Sequence, residues 1–187
     1  MTRKDNYLLP LAFIGLMFFT VGFALGINSY LVPLLQATLD VSSGESYLIL
    51  AATFSAFLIF SYPTAQIIRR IGYRRTMALS FVIFAAGFLL FVPSARTESL
   101  GLFLLASFIC GVGNTVLQAA INPYITILGP IESAARRISI MGICNKLAWP
   151  VAPIFLAAVI GKEVSQAVLT DIDLPFYIIV GIFLLLG

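Results

Sequence analysis

Apolar runs long enough to cross a bilayer recur along the whole of this chain of 187 residues, which narrows its fold before any motif is read. A hydrocarbon layer of about 30 Å takes about 20 helical residues to span. Within it every backbone amide must be satisfied inside the protein, so runs of this length are helices. The composition agrees: 60% of residues are hydrophobic, 10% are charged, and the mean hydropathy is +1.05. The fold class expected is an all-α membrane protein.

Six spans are read, at about Leu8 to Leu35, Tyr47 to Ile68, Met77 to Val92, Leu100 to Leu128, Ile138 to Ile160, and Pro175 to Gly187. Together they form one transmembrane domain. The last run covers only about 20 Å at 1.5 Å per residue, too short for a comfortable crossing. It ends on Leu184-Leu185-Leu186-Gly187 with no polar flank, so the chain is expected to be a piece of a longer protein whose second half is missing. The first span follows Arg3 and Lys4 but outruns a signal-peptide core, continuing past Gly26 to Pro33; it is read as a retained helix.

Assigning alternate loops to opposite sides sorts the charges. Arg3, Lys4, Arg69, Arg70, Arg74, Arg75, Arg136 and Arg137 fall on one side; Arg96 and Lys162 fall on the other with Asp40, Glu45, Glu98, Glu163, Asp171 and Asp173. The positive-inside bias then places the N-terminus and the 68–76 and 129–137 loops in the cytoplasm. The net charge of +3 is thus a matter of topology, and no nucleic-acid partner is expected. Cys110 and Cys144 lie within spans and read as small apolar packing residues.

Catalysis finds no players. The chain has no histidine, and its carboxylates fall in loops or near termini, so general acid–base chemistry, serine–histidine triads and common zinc sites are not available within the membrane. No metal or cofactor is expected, and no enzyme. What the membrane segments do hold is amides. Asn114, Gln118 and Asn122 recur every four residues in the fourth span, forming one polar stripe at membrane depth. Such a stripe faces a protein interior or a water-filled cavity, where it binds a polar molecule or joins helices by hydrogen bonds. Lys146, about 12 Å into the fifth span, is a functional candidate by its depth, with snorkelling to the interface as the competing reading. Trp149, beside Pro150 and Pro153, offers either an aromatic face to a ligand ring or lipid-facing packing. Gly15, Gly22, Gly26, Gly111 and Gly113 are expected to permit close helix approach.

The segment Arg69-Arg70-Ile71-Gly72-Tyr73-Arg74-Arg75 joins the second and third spans as a short basic loop, with Gly72 suited to the positive φ of a tight reversal and Arg70 and Arg74 beside it. It resembles the signature loop of the major facilitator superfamily, with Arg69 in place of the family's acid. More specific is Gln118-Ala119-Ala120-Ile121-Asn122-Pro123-Tyr124-Ile125-Thr126-Ile127-Leu128-Gly129-Pro130, followed by Asn145. That run resembles the fucose/glucose/galactose permeases, and the likeness extends through Asn28-Ser29-Tyr30-Leu31-Val32-Pro33 and Tyr62-Pro63 to essentially the whole chain.

The resemblance implies the N-terminal six helices of a twelve-helix sugar transporter, built as two three-helix repeats of inverted topology, in a bacterial cytoplasmic membrane. It implies a substrate site holding Asn28, Ser29, Gln118, Asn122 and Asn145, a neutral hexose or deoxyhexose as substrate, and a proton or sodium ion as possible coupling ion; Lys146 joins the site by its depth, to tune its charge or stand in for a coupling ion. It also carries a departure. The membrane carboxylates of proton-coupled relatives fall at Ser29 and Gln118 here, and neither side chain carries a proton. Asn145 is expected either to hold Gln118 or to reach the sugar. Two other classes fit the same residues: a six-helix sensor or ligand-binding protein, and an exporter of drugs or organic anions paired with Lys146.

Overall fold

The computed structural model describes residues 8–38, 42–161 and 168–187; Arg3, Lys4, Asp40, Lys162 and Glu163 lie outside them. Five helices follow in order: α1 (Leu8–Thr38), α2 (Ser43–Arg96), α3 (Leu100–Ile127), α4 (Ala134–Ile160) and α5 (Asp173–Leu186). Helices α1 to α4, and the run Leu169–Leu186 that a 3-10 turn adds to the front of α5, are long and apolar enough to cross a membrane.

Helix α2 supplies two crossings. Its 54 residues would reach about 80 Å if straight, well beyond any bilayer. At Gly72 the backbone turns to φ 78° and ψ 169°, a left-handed region open to glycine, and the helix folds back there. The expected loop at 68–76 is therefore corrected to a single residue. Arginine is a good helix former, so the flanking basic residues stay helical. Likewise α4 begins at Ala134, which puts Arg136 and Arg137 in its first turn rather than in a loop.

The packing is paired. Helix α1 lies mainly against α4, α3 lies between the two arms of α2, and α5 lies on the second arm. That last contact is aromatic. Phe81, Phe84, Phe88 and Phe91 on α2 are buried against Phe176 and Phe183 of α5, with ring centroids 5.3 Å apart for both Phe84 and Phe88 on Phe183. Phe91 also meets Phe103 of α3, at 5.8 Å. At one end of the bundle Arg96 and Asp173 form an exposed ion pair of 2.8 Å, so the α2–α3 turn and the start of α5 share a side, as the charge sorting expects.

Two helix crossings are built alike. A Cβ placed on Gly22 of α1 would stand 1.9 Å from the carbonyl oxygen of Asn145 on α4. One placed on Gly111 of α3 would stand 2.2 Å from the carbonyl oxygen of Thr53 on α2. In each case the partner's side chain then bonds the carbonyl four residues before the glycine. Asn145 Nδ2 donates to Phe18 O at 3.0 Å, and Thr53 Oγ1 donates to Ser107 O at 3.3 Å. Gly22 and Gly111 stand 89 positions apart, as do Phe18 and Ser107. Exchanging the first three spans for the last three maps one crossing onto the other, so the geometry itself displays two three-helix repeats.

Helix α2 opens on a capping box: Glu45 N–H donates to Ser42 Oγ at 3.2 Å, and Ser42 N–H donates to the Glu45 carboxylate at 2.9 Å. These Ser42 bonds hold the Glu45 carboxyl below its ordinary value. A depressed folded value means that the stabilisation is complete above the unfolded pKa and drains away as pH falls through the folded one. The melting difference between the protein and its Glu45→Gln variant is therefore constant above about pH 5 and shrinks toward pH 3; a difference independent of pH would refute the cap. Gly22→Ala and Gly111→Ala should each cost about 1–3 kcal/mol by overpacking, read as thermal unfolding in detergent. Gly181→Ala, with nothing within 4 Å, serves as the neutral control.

Candidate functional site

Depth along the helices separates the polar groups into two levels. Measured from the end shared by the start of α1, the end of α3 and the start of α4, Gln118, Asn145 and Lys146 lie about 14, 17 and 18 Å in, close to mid-membrane. Asn28, Ser29 and Ser107 lie about 30 Å in.

The deeper level is a three-helix node. Asn28 is 2% exposed, and its Nδ2 donates to Thr53 Oγ1 at 3.1 Å. Thr53 in turn reaches Ile49 O at 3.0 Å or Ser107 O at 3.3 Å, joining α1, α2 and α3. Ser29, half-buried, donates to Leu25 O of its own helix at 3.1 Å. Ser29 and Gln118 also stand 89 positions apart, so the two positions are equivalent in the two repeats.

The mid-membrane level is more open. Four-residue spacing advances a helix by about 40° per step, so the amide stripe fans outward as it climbs. Asn114 is buried, Gln118 half-buried and Asn122 exposed. Gln118 Nε2 donates to Asn114 Oδ1 at 2.9 Å, which leaves the glutamine oxygen open as an acceptor. Asn145 does not hold Gln118; its amide is committed to Phe18 of α1.

Next along α4, Lys146 is exposed, with Nζ 4.8 Å from the centroid of the Trp149 ring. A charge near mid-membrane costs about 3 kcal/mol or more against hydrocarbon. Lys146 therefore marks the water-facing side of α4. Ser139, Gly142, Trp149, Pro150 and Pro153 share that side by helical spacing, whereas Leu147, Val151 and Ile154 stand about 80–140° round the helix from it. Under the repeat relation Asn145 corresponds to Thr53, so the Lys146/Trp149 pair corresponds to Phe54 and Phe57, whose rings lie 6.2 Å apart.

Around Gly72, Arg70 and Arg74 are exposed. Arg74 borders a cleft of about 520 Å³ between the first turns of α1, at Leu9 and Phe13, and Tyr124 of α3. Arg137 is the residue that sequence reasoning missed. Counted there only as a topological charge, it is buried, with its guanidinium donating to Ile125 O at 3.3 Å, Pro130 O at 2.9 Å and Ser133 Oγ. It satisfies carbonyls that the end of α3 leaves without helical partners. The helix break at Gly129-Pro130 ahead of an arginine pair is the only signal that pointed to it.

Lys146→Cys should react with a membrane-impermeant maleimide in the full-length protein with Cys110 and Cys144 replaced, while Ile154→Cys should stay at least tenfold slower. Equal rates would overturn the water-facing assignment.

A family model described as Major Facilitator Superfamily matches residues 14–187. A glucose/galactose transporter of Brucella abortus is 37% identical over 166 residues, covering 89% of this chain and 40% of that protein. The L-fucose-proton symporter of Escherichia coli K12 is 27% identical over 204 residues, covering 99% of this chain and 47% of its own. The crystal structure of that fucose symporter, FucP, in its outward conformation superposes with a TM-score of 0.78 at 25% identity, over 96% of this chain and 48% of the other. The chain thus spans less than half the length of the relatives it matches.

Proposed function

Because the chain belongs to the major facilitator superfamily, we propose that it forms one half of a secondary transporter that carries a monosaccharide, a neutral hexose or deoxyhexose, across a bacterial cytoplasmic membrane. The observation that carries this reading is the set Gln118, Asn145 and Lys146 at one depth near mid-membrane, on two long apolar helices. Similarity to a glucose/galactose transporter over 89% of the chain supports the sugar class. Enzymatic chemistry has no support: the named relatives are transporters.

In this reading the Gln118 and Asn122 amides hydrogen-bond sugar hydroxyls, offering both donors and acceptors to groups that need both. Asn145 positions α4 against α1 and thereby fixes where Lys146 and Trp149 stand. Asn28 and Ser29 organise the outer level of the cavity, and the Gly72 turn with Arg70 and Arg74 meets the second half at the cytoplasmic end. The N-terminus is cytoplasmic, as the basic residues require. Alternating access follows from rocking of this half against the other around the bound sugar. Between Leu8 and Ile160 no carboxylate lies inside a membrane segment, so a coupling proton, if there is one, is carried by the other half.

Hexose uptake into proteoliposomes by the full-length protein tests this. Gln118→Ala and Lys146→Met should each lower uptake at subsaturating sugar at least tenfold, with Gln118→Glu adding a pH dependence only if this position couples to protons. Undiminished uptake in both of the first two variants would sink the site.

A further inference from the structure

The water-facing side of α4 carries a cation and no anion. Lys146 stands near mid-membrane, exposed, and the membrane segments of α1, α3 and α4 contain no aspartate or glutamate to neutralise it. The described residues hold a single ion pair, Arg96 with Asp173, at the far end of the bundle. The repeat-equivalent of Lys146 and Trp149 is Phe54 with Phe57, which supplies rings and no charge. Charge on this face is therefore one-sided, and it sits beside an aromatic surface: Lys146 Nζ covers part of the Trp149 indole at 4.8 Å, and the indole is 38% exposed.

A monosaccharide ring has an apolar face that stacks on an indole. An ammonium next to that indole is the natural partner of a carboxylate carried by the same ring. Neutral amides at Gln118 and Asn122 read hydroxyls on either kind of sugar.

We propose that the transporter also accepts sugar acids, meaning monosaccharides bearing one carboxylate such as uronates, and binds them more tightly than their neutral parents, with the carboxylate on Lys146 and the ring against Trp149. This rests on the sugar-transport reading and extends it to a second substrate class. Charge-assisted bonds are worth roughly twice neutral ones, so the preference should be about tenfold or more.

The test is competition against labelled hexose uptake by the full-length protein in proteoliposomes. D-glucuronate and D-galacturonate should inhibit at concentrations at least tenfold lower than D-glucose and D-galactose. In Lys146→Met that ratio should fall to about one, and Lys146→Arg should keep it above one. If the acids compete no better than their parents, as when a carboxylate of the second half already neutralises Lys146, the proposal is overturned while hexose transport stands. If sulfate competes as well as the uronates, the site takes any anion and the proposal is equally overturned. If the protein moves no hexose at all, the transport reading fails on its own, and equilibrium binding of labelled glucuronate decides this one: binding lost in Lys146→Met supports it, and binding absent from the unaltered protein overturns it.

Discussion

Two glycine-to-carbonyl crossings hold this structure in register. Lipid tails are as apolar as leucine, so helices in a membrane gain little by hiding apolar surface from each other and depend on close van der Waals fit and on hydrogen bonds. Gly22 and Gly111 supply the fit, since any Cβ there would collide with the Asn145 or Thr53 carbonyl. The Asn145 amide and the Thr53 hydroxyl supply the bonds. The two crossings fix α1 on α4 and α3 on the first arm of α2. Phenylalanine packing then adds α5 to the second arm, with the Arg96–Asp173 ion pair at one end of the contact.

Polar side chains within the bundle divide by what surrounds them. Asn28 and Thr53 are sealed among three helices, where an unpaired donor would be costly, and they spend their bonds on each other and on backbone. Gln118, Asn122 and Lys146 face outward from the half and keep bonding capacity that the half does not use. Residues of one chemical type thus serve as cement on one side of a helix and stay available for bonding on another, with position on the wheel deciding which.

The spans were legible because a helix in hydrocarbon requires a long apolar run, and such runs are hard to mistake. The turn between the second and third spans was not, because a cluster of arginines reads as a loop by charge alone while arginine itself sustains a helix; only Gly72 had to leave it. The amide stripe was legible as one side of a helix, but four-residue spacing gives no sign that Asn114 ends in the core and Asn122 outside it. Asn145 was visible as a candidate, yet its partner Phe18 lies 127 positions away and belongs to the backbone, where sequence leaves no mark. Arg137 was hidden by its own type, since a buried helix-end clamp and a topological charge are spelled with the same letter.

The single-residue turn at Gly72 bears on how such a half can move. One residue leaves no slack between two helical arms that α3 grips from between, and both glycine crossings seat backbone against backbone with no side chain to yield. Bending or sliding inside the half would break these seats together. In the transport reading proposed above, motion that opens a path for substrate then falls on the boundary with the second half rather than inside this one.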